Sequence, residues 1–164
     1  MAILDLMQRL QDSDFSMAFL GSQYVYPLVE SVHVLGLALS VGLLAIADLR
    51  LIGAVMSRQP VSDSLHGLRP WMLAGFIIMF ASGGILFAAE AGKLYVNPLF
   101  RLKMLFVAVA GLNALYFEWS LGRHANVWSD PLRPPGAAKF AGWASLACWA
   151  VVILFGRWIA YGFS

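Results

Sequence analysis

Residues 70–89 read PWMLAGFIIMFASGGILFAA, a run of 20 residues with no Asp, Glu, Lys or Arg. As a helix rising 1.5 Å per residue it measures about 30 Å, the thickness of a bilayer's hydrocarbon core. Pro70 suits the first turn of such a helix, where its missing N–H has no intrahelical partner to lose. Working outward, three further stretches without those residue types lie at 31–47, 104–117 and 140–156. Each reaches spanning length once its ends take in polar residues whose stems lie along lipid. The first then begins at Tyr24 and includes Glu30. The third begins at Pro98 and includes Arg101 and Lys103, and the fourth runs past Arg157 to Tyr161. The predicted spans are therefore about 24–48, 70–91, 98–122 and 138–161.

Local punctuation agrees with these limits. Pro27, Pro70 and Pro98 stand where helices start, and Asn97 before Pro98 makes a cap followed by a first-turn proline. Gly53, Gly92 and Gly122 stand where helices stop, and Pro131 to Gly136 breaks the chain ahead of the fourth span. Over residues 2–12, Ile3, Leu6, Met7 and Leu10 share one helical face, with Asp5, Gln8, Arg9 and Asp12 opposite. That pattern predicts a short helix lying on the membrane surface. Val61 to Leu68 reads as another small interfacial turn.

Composition supports lipid as the main solvent. The chain has 164 residues, enough for one domain, and is 60% hydrophobic and 12% charged. Soluble domains run at about 45–50% apolar and about 25% charged, and a chain this short cannot bury the excess. A soluble monomer, a disordered tail and a nucleic-acid binder are excluded. A net charge of +2 carries no polyanion signal, and a single cysteine, Cys148, excludes a disulfide framework and a Cys-rich metal site. Acidic residues at 5, 12 and 14 leave no signal-peptide pattern at the N-terminus. Tyr24, Tyr26, Trp71, Tyr95, Trp119, Trp143, Trp158 and Tyr161 gather near span ends as an aromatic belt. The expected fold is all-α, an antiparallel four-transmembrane-helix bundle with one interfacial helix. Arg50, Arg58, Arg69, Arg123, Arg133 and Lys139 fall on the side of the 1–2 and 3–4 loops, against Arg9, Lys93, Arg101, Lys103 and Arg157 on the other. The positive-inside rule then places both termini in the periplasm of a bacterial inner membrane.

Ionisable groups at membrane depth are costly and mark candidate sites. Up-and-down topology assigns Glu30, His33, Glu90, Arg101, Lys103 and Arg157 to one leaflet. His33 lies deepest, the sole histidine within a span, and shares a helix face with Glu30. It is the candidate ligand of a metal or of a haem iron. Arg101 and Lys103 are candidates to hold haem propionates by charge-assisted hydrogen bonds, and Met104 is a candidate sixth ligand. Asn113, deep in the third span, is expected to hydrogen-bond a neighbouring helix. A second candidate metal or haem site pairs His66 with His124. Asp48 and Arg50 read as the cap of the first span. No Ser/His/Asp set, nucleophile elbow or phosphate loop occurs.

The runs Tyr26 to Gly36, Asp48 to Gly53, Leu68 to Trp71, Ser82 to Phe87, Asn97 to Lys103 and Gly111 to Ala114 resemble an uncharacterised family of small bacterial inner-membrane proteins. That family is named only as a domain of unknown function, so the resemblance implies four spans and no activity. The layout is more distantly similar to cytochrome b561-type and copper-resistance D-type membrane proteins. In the former, histidines on facing helices hold haem b. This chain departs from that pattern with one intramembrane histidine, so a second axial ligand must be Met, Lys or Glu, come from a second protomer, or be missing.

Two functional expectations follow. One is a haem b protein for electron transfer or small-oxidant handling, with His33 as axial ligand. The other is a copper, zinc or iron binding or transport protein using Glu30, His33 and Glu90; a structural subunit of a larger complex is the blander alternative. Expected partners are membrane lipids, a second copy in a homodimer, and a redox partner or quinone.

Overall fold

The computed structural model describes residues 2–122 and 132–162. Among the described residues seven α-helices occur in order: α1 Ala2–Gln11, α2 Asp14–Gly21, α3 Val25–Ile52, α4 Val61–Ala89, α5 Ala91–Val96, α6 Pro98–Tyr116 and α7 Gly136–Ala160. A wide π-helical turn, Phe117–Leu121, prolongs α6. No strand occurs among the described residues. Four helical stretches are long and apolar enough to cross a membrane: α3, α4, α6 with its π turn, and α7. The all-α four-span bundle is thus the architecture.

Sequence signals explain most of the limits. The Asn97 carboxamide accepts from the Leu99 and Phe100 N–H groups at 2.9 and 3.2 Å, so Pro98 opens α6 as expected. Gly53 ends α3 at φ 91°, a left-handed position that glycine adopts without strain. Residues 49–52 prolong α3 beyond the expected limit at 48.

Two expectations are corrected. Residues 61–68 form no separate interfacial turn; α4 runs unbroken from Val61 with Pro70 inside it. Val61 and Leu65 are buried against Ala47, Leu51 and Ala138, which holds those first turns in line. Pro70 withholds a hydrogen bond from the carbonyl of residue 66, which lies in an exposed turn within reach of polar surroundings. The second correction is that residues 91–96 form their own short helix after a break at Glu90, where φ is −123° and ψ 28°.

The central unit is the antiparallel α3–α4 pair. A Cβ on Gly36 would stand 2.9 Å from the Met79 nitrogen, and one on Gly75 would stand 2.6 Å from the Ser40 nitrogen. The two backbones therefore touch where Gly36 meets Met79 and Gly75 meets Ser40, contacts four residues apart on each helix, the close approach on which membrane helices depend. In the same register His33 meets Ser82. The small residues Gly36 and Ser40 thus admit the backbone of α4.

α7 packs on α3 through Gly142, where a Cβ would stand 3.0 Å from the Asp48 carbonyl oxygen. α6 packs on α7, and the Asn113 amide donates to the Ala141 carbonyl at 2.9 Å. Backbone proximity thus runs α4–α3–α7–α6. Side chains bridge α4 to α6 and its π turn, among them Phe87 stacked on Phe100 at 5.5 Å and Arg69 paired with Glu118 at 2.5 Å. The core between the helices holds Val41, Met79, Ala110, Cys148, Trp149 and Val152. Large apolar side chains such as Leu35 (68% exposed), Ile77 (70%) and Leu112 (67%) point outward, as lipid-facing residues should.

At the end holding the N-terminus, α1 lies on α5. Gly92 receives Gln8 and Gln11, and the Gln11 side chain accepts from the Lys93 N–H at 3.1 Å. The fully buried Ser16 hydroxyl lies 2.8 Å from the Leu10 carbonyl and 3.2 Å from that of Ala88. Ile3, Leu6 and Leu10 remain exposed on α1, an outward apolar face suited to the interface.

The Asn113 bond yields a measurable expectation. Asn113→Ala removes the bond across the helices to the Ala141 carbonyl and lowers stability by about 1 kcal/mol. Reversible unfolding in mixed micelles checks this, and an unchanged midpoint would assign the α6–α7 contact to packing alone.

Candidate cofactor site around His33

His33 lies eight residues inside α3, about 12 Å below its N-terminal end. Its Nδ1 stands 2.9 Å from the Met79 carbonyl oxygen and 3.1 Å from the Ser82 Oγ. A carbonyl only accepts, so Nδ1 carries the proton and donates it. The Ser82 hydroxyl gives its own hydrogen to α4, 2.6 Å from the Ile78 carbonyl, so its oxygen also faces Nδ1 as an acceptor. The ring is held as the Nδ1–H tautomer, with the Nε2 lone pair as its open valence. A Cβ on Gly83 would stand 2.9 Å from the His33 Cε1, so the ring lies in a slot that only glycine leaves. An imidazole oriented by a backbone carbonyl at one nitrogen is the arrangement of a metal-ligating histidine.

Lys103 is the second inward group. It rises from the first turns of α6 across α7, with its Nζ 3.3 Å from the place of a Cβ on Gly156. It is half-buried, close enough to His33 to act on it electrostatically, and no carboxylate pairs with it among the described residues.

The other expected members do not join them. Glu30 is exposed, in a surface depression of about 420 Å³ lined with Ser31, Val34 and Leu35 on its own helix. Glu90 is held by Lys93 at 3.0 Å. The Arg101 Nε donates to the Tyr95 carbonyl at 2.9 Å, and its guanidinium lies 5.0 Å from the Tyr95 ring centre. Arg157 donates to the Tyr161 hydroxyl at 2.6 Å. Glu90, Arg101 and Arg157 thus each find a partner close by in sequence, and the structure does not bring Glu30, His33, Glu90, Arg101 and Lys103 into one pocket. Met104 is 46% exposed on the outer side of α6, so it is no sixth ligand within this chain. Among the described residues no three His, Cys, Asp or Glu side chains gather as a metal site, so Glu30, His33 and Glu90 are not brought together. His66 is exposed near the start of α4, and His124 lies outside the described residues.

At the opposite end the structure buries two groups that the sequence assigned to capping. Asp48 is 5% exposed between α3 and α7, with Ser145 as hydrogen-bond partner of its carboxyl and Oδ2 unpartnered. Arg50 is fully buried; its Nε and Nη2 donate to the Gln59 carbonyl, and Nη2 also reaches the Leu132 carbonyl at 3.3 Å. Its Nη1 is unpartnered. The available signal was position: both precede the Gly53 stop and so belong inside the span.

Compared with the curated proteins and with the solved structures, the chain matches none. The expected distant likeness to cytochrome b561-type and copper-resistance D-type proteins is accordingly without support. The likeness to an uncharacterised family does find its counterpart, in a family model that covers residues 14–164 and with it every spanning helix. By that match the chain belongs to a family of unknown function, DUF6644.

Proposed function

We propose that the protein binds haem b, with His33 Nε2 as the one axial ligand that this chain supplies, and serves in electron transfer or small-oxidant handling. The observation that carries the reading is the Nδ1–H bond to the Met79 carbonyl, which fixes ring and tautomer and leaves Nε2 as donor. A haem there supplies one-electron chemistry. The chain's own contribution is to orient the imidazole, to exclude water by setting it about 12 Å deep, and to offer Lys103 for a propionate.

One described axial donor fits a five-coordinate haem or one completed by a second copy, so the reading includes a homodimer. A metal-transport role is the weaker proposal, since Glu30 and Glu90 turn away from His33. With Lys103 and Arg50 both drawn inside, the loop side of α3–α4 and α6–α7 carries Arg58, Arg69, Arg123, Arg133 and Lys139 against Arg9, Lys93, Arg101 and Arg157. That imbalance supports a bacterial inner membrane with both termini periplasmic, facing a redox partner or quinone.

Protein purified from haem-replete cells is expected to show a Soret band. His33→Ala abolishes it, whereas His66→Ala retains it. A preparation without the band, or a His33→Ala variant with full occupancy, overturns the reading.

A further inference from the structure

Asp48 is the one buried carboxyl among the described residues, and the proposed haem chemistry does not use it. It stands four positions before the end of α3, about 6 Å from that end. Here α3 meets α7, with the Asp48 carbonyl against Gly142. Its neighbours Ala47 and Leu51 belong to a buried apolar cluster with Val61, Leu65 and Ala138. Ser145 is the hydrogen-bond partner of one carboxyl oxygen, and the other, Oδ2, is buried without a partner. Among the described residues no cation neutralises the group. Arg50 leaves α3 two positions later, on a different face, and is bonded to the Gln59 and Leu132 carbonyls. On α4, Asp63 and His66 are exposed and Arg69 is paired with Glu118. On α7, Lys139 is exposed in the first turn, and Cys148, one turn beyond Ser145, is a free thiol.

An ionised carboxylate in this seam would carry a desolvation cost that one hydroxyl cannot offset. A proton removes the charge. Placed on the oxygen that faces Ser145, it is donated to the Ser145 Oγ, and Oδ2 is left as a neutral acceptor. A metal ion would need several oxygen donors instead, and no set of three His, Cys, Asp or Glu side chains includes Asp48 among the described residues.

We propose that Asp48 is a proton-binding site, occupied at neutral pH and exchanging its proton with the side of the bundle that carries the α3–α4 connection. Loss of the proton leaves a charge that the apolar seam cannot hold, so α3 and α7 part at Gly142 to admit water. Proton occupancy and the α3–α7 contact are thereby linked: the contact is firm while the proton is bound and loosens as rising pH removes it. The site is independent of the haem reading, since His33 lies earlier on α3, roughly 22 Å away in the opposite leaflet.

The test uses the full-length protein in an ester-free detergent, with infrared difference spectra and melting curves recorded from mildly acid to alkaline pH. The wild type is expected to show the carbonyl stretch of a protonated carboxylic acid at neutral pH, shifted in heavy water and lost as the pH rises. Asp48→Asn, which copies the shape and neutrality of the acid, is expected to lack that band. Its melting temperature is expected to stay level over the same range, while that of the wild type falls by several degrees. If Asp48→Asn fails to fold, Ser145→Ala makes the assignment, because removing the partner must shift the band without abolishing it. A wild type without the band at neutral pH, a band that survives in Asp48→Asn, or one that Ser145→Ala leaves unshifted overturns the proposal. So does a band that persists unchanged to strongly alkaline pH, which would make Asp48 a locked acid without exchange. A band that emerges only when sodium is withdrawn would give the site to a metal ion and equally overturn it.

Discussion

Gly75→Leu will separate α3 from α4, and the protein will not survive detergent extraction as a folded bundle. Even the Cβ alone would stand 2.6 Å from the Ser40 nitrogen and 3.0 Å from its Cα. These are backbone atoms of a regular helix and cannot swing aside as a side-chain tip would. Overpacking of a yielding core costs about 1–3 kcal/mol, and here the cost reaches at least the top of that range. Gly36→Leu meets the Met79 nitrogen in the same manner, at 2.9 Å. Gly84→Leu is the control, since a Cβ there meets nothing within 4 Å. Size-exclusion profiles and melting curves of the three variants read the effect. A Gly75→Leu protein as stable as Gly84→Leu would mean that the helices are not this close.

The second large effect belongs to Arg50. Arg50→Ala removes the donors that serve the Gln59 and Leu132 carbonyls and so unties both connections at that end of the bundle. Charge-assisted bonds contribute about 1.5–3 kcal/mol each, so a loss of roughly 3 kcal/mol is expected from the pair of connections. Arg50→Lys rescues little, because one ammonium cannot reproduce a planar fork that bonds through Nε and Nη2 together. Limited proteolysis should cut first between residues 53 and 60. Chemical unfolding curves of the two variants read the loss. An Arg50→Ala protein with wild-type stability would refute the anchoring role.

The spans were legible because each is a long apolar run, and a bilayer enforces that pattern one helix at a time. The cap at Asn97 and the stop at Gly53 were legible for the same local reason. What escaped depends on contacts between distant segments. The first turns of α4 are held by Ala47 and Ala138, so Pro70 misled as a start signal. α2 and α5 are short helices fixed by Ser16 against Ala88 and by Gly92 against Gln8 and Gln11. The candidate site was half legible. Depth singled out His33, and Asn113 was correctly assigned a neighbouring helix. The partner of His33 is a backbone carbonyl 46 positions away, set by helix register and invisible in composition. Leaflet sorting fixed the height of Glu30, Glu90, Arg101 and Lys103 but not their rotation about each helix axis. Rotation decided that only Lys103 turns inward.

The order α4–α3–α7–α6 also prescribes how the molecule is made. The N-terminal part leaves the ribosome first, and α3 and α4 carry all their mutual contacts within residues 25–89, so this hairpin can close as soon as it enters the bilayer. α6 has no such opportunity. Among the described spanning helices its backbone approaches only α7, and of its own residues only Ala110 is buried. It must wait in lipid, with the Asn113 amide unmatched, until the last span arrives to receive it. A nascent chain halted near residue 122 is therefore a finished hairpin beside a helix that only side chains tie to it. The membrane insertase has to hold α6 longest, and quality-control proteases should recognise that intermediate first.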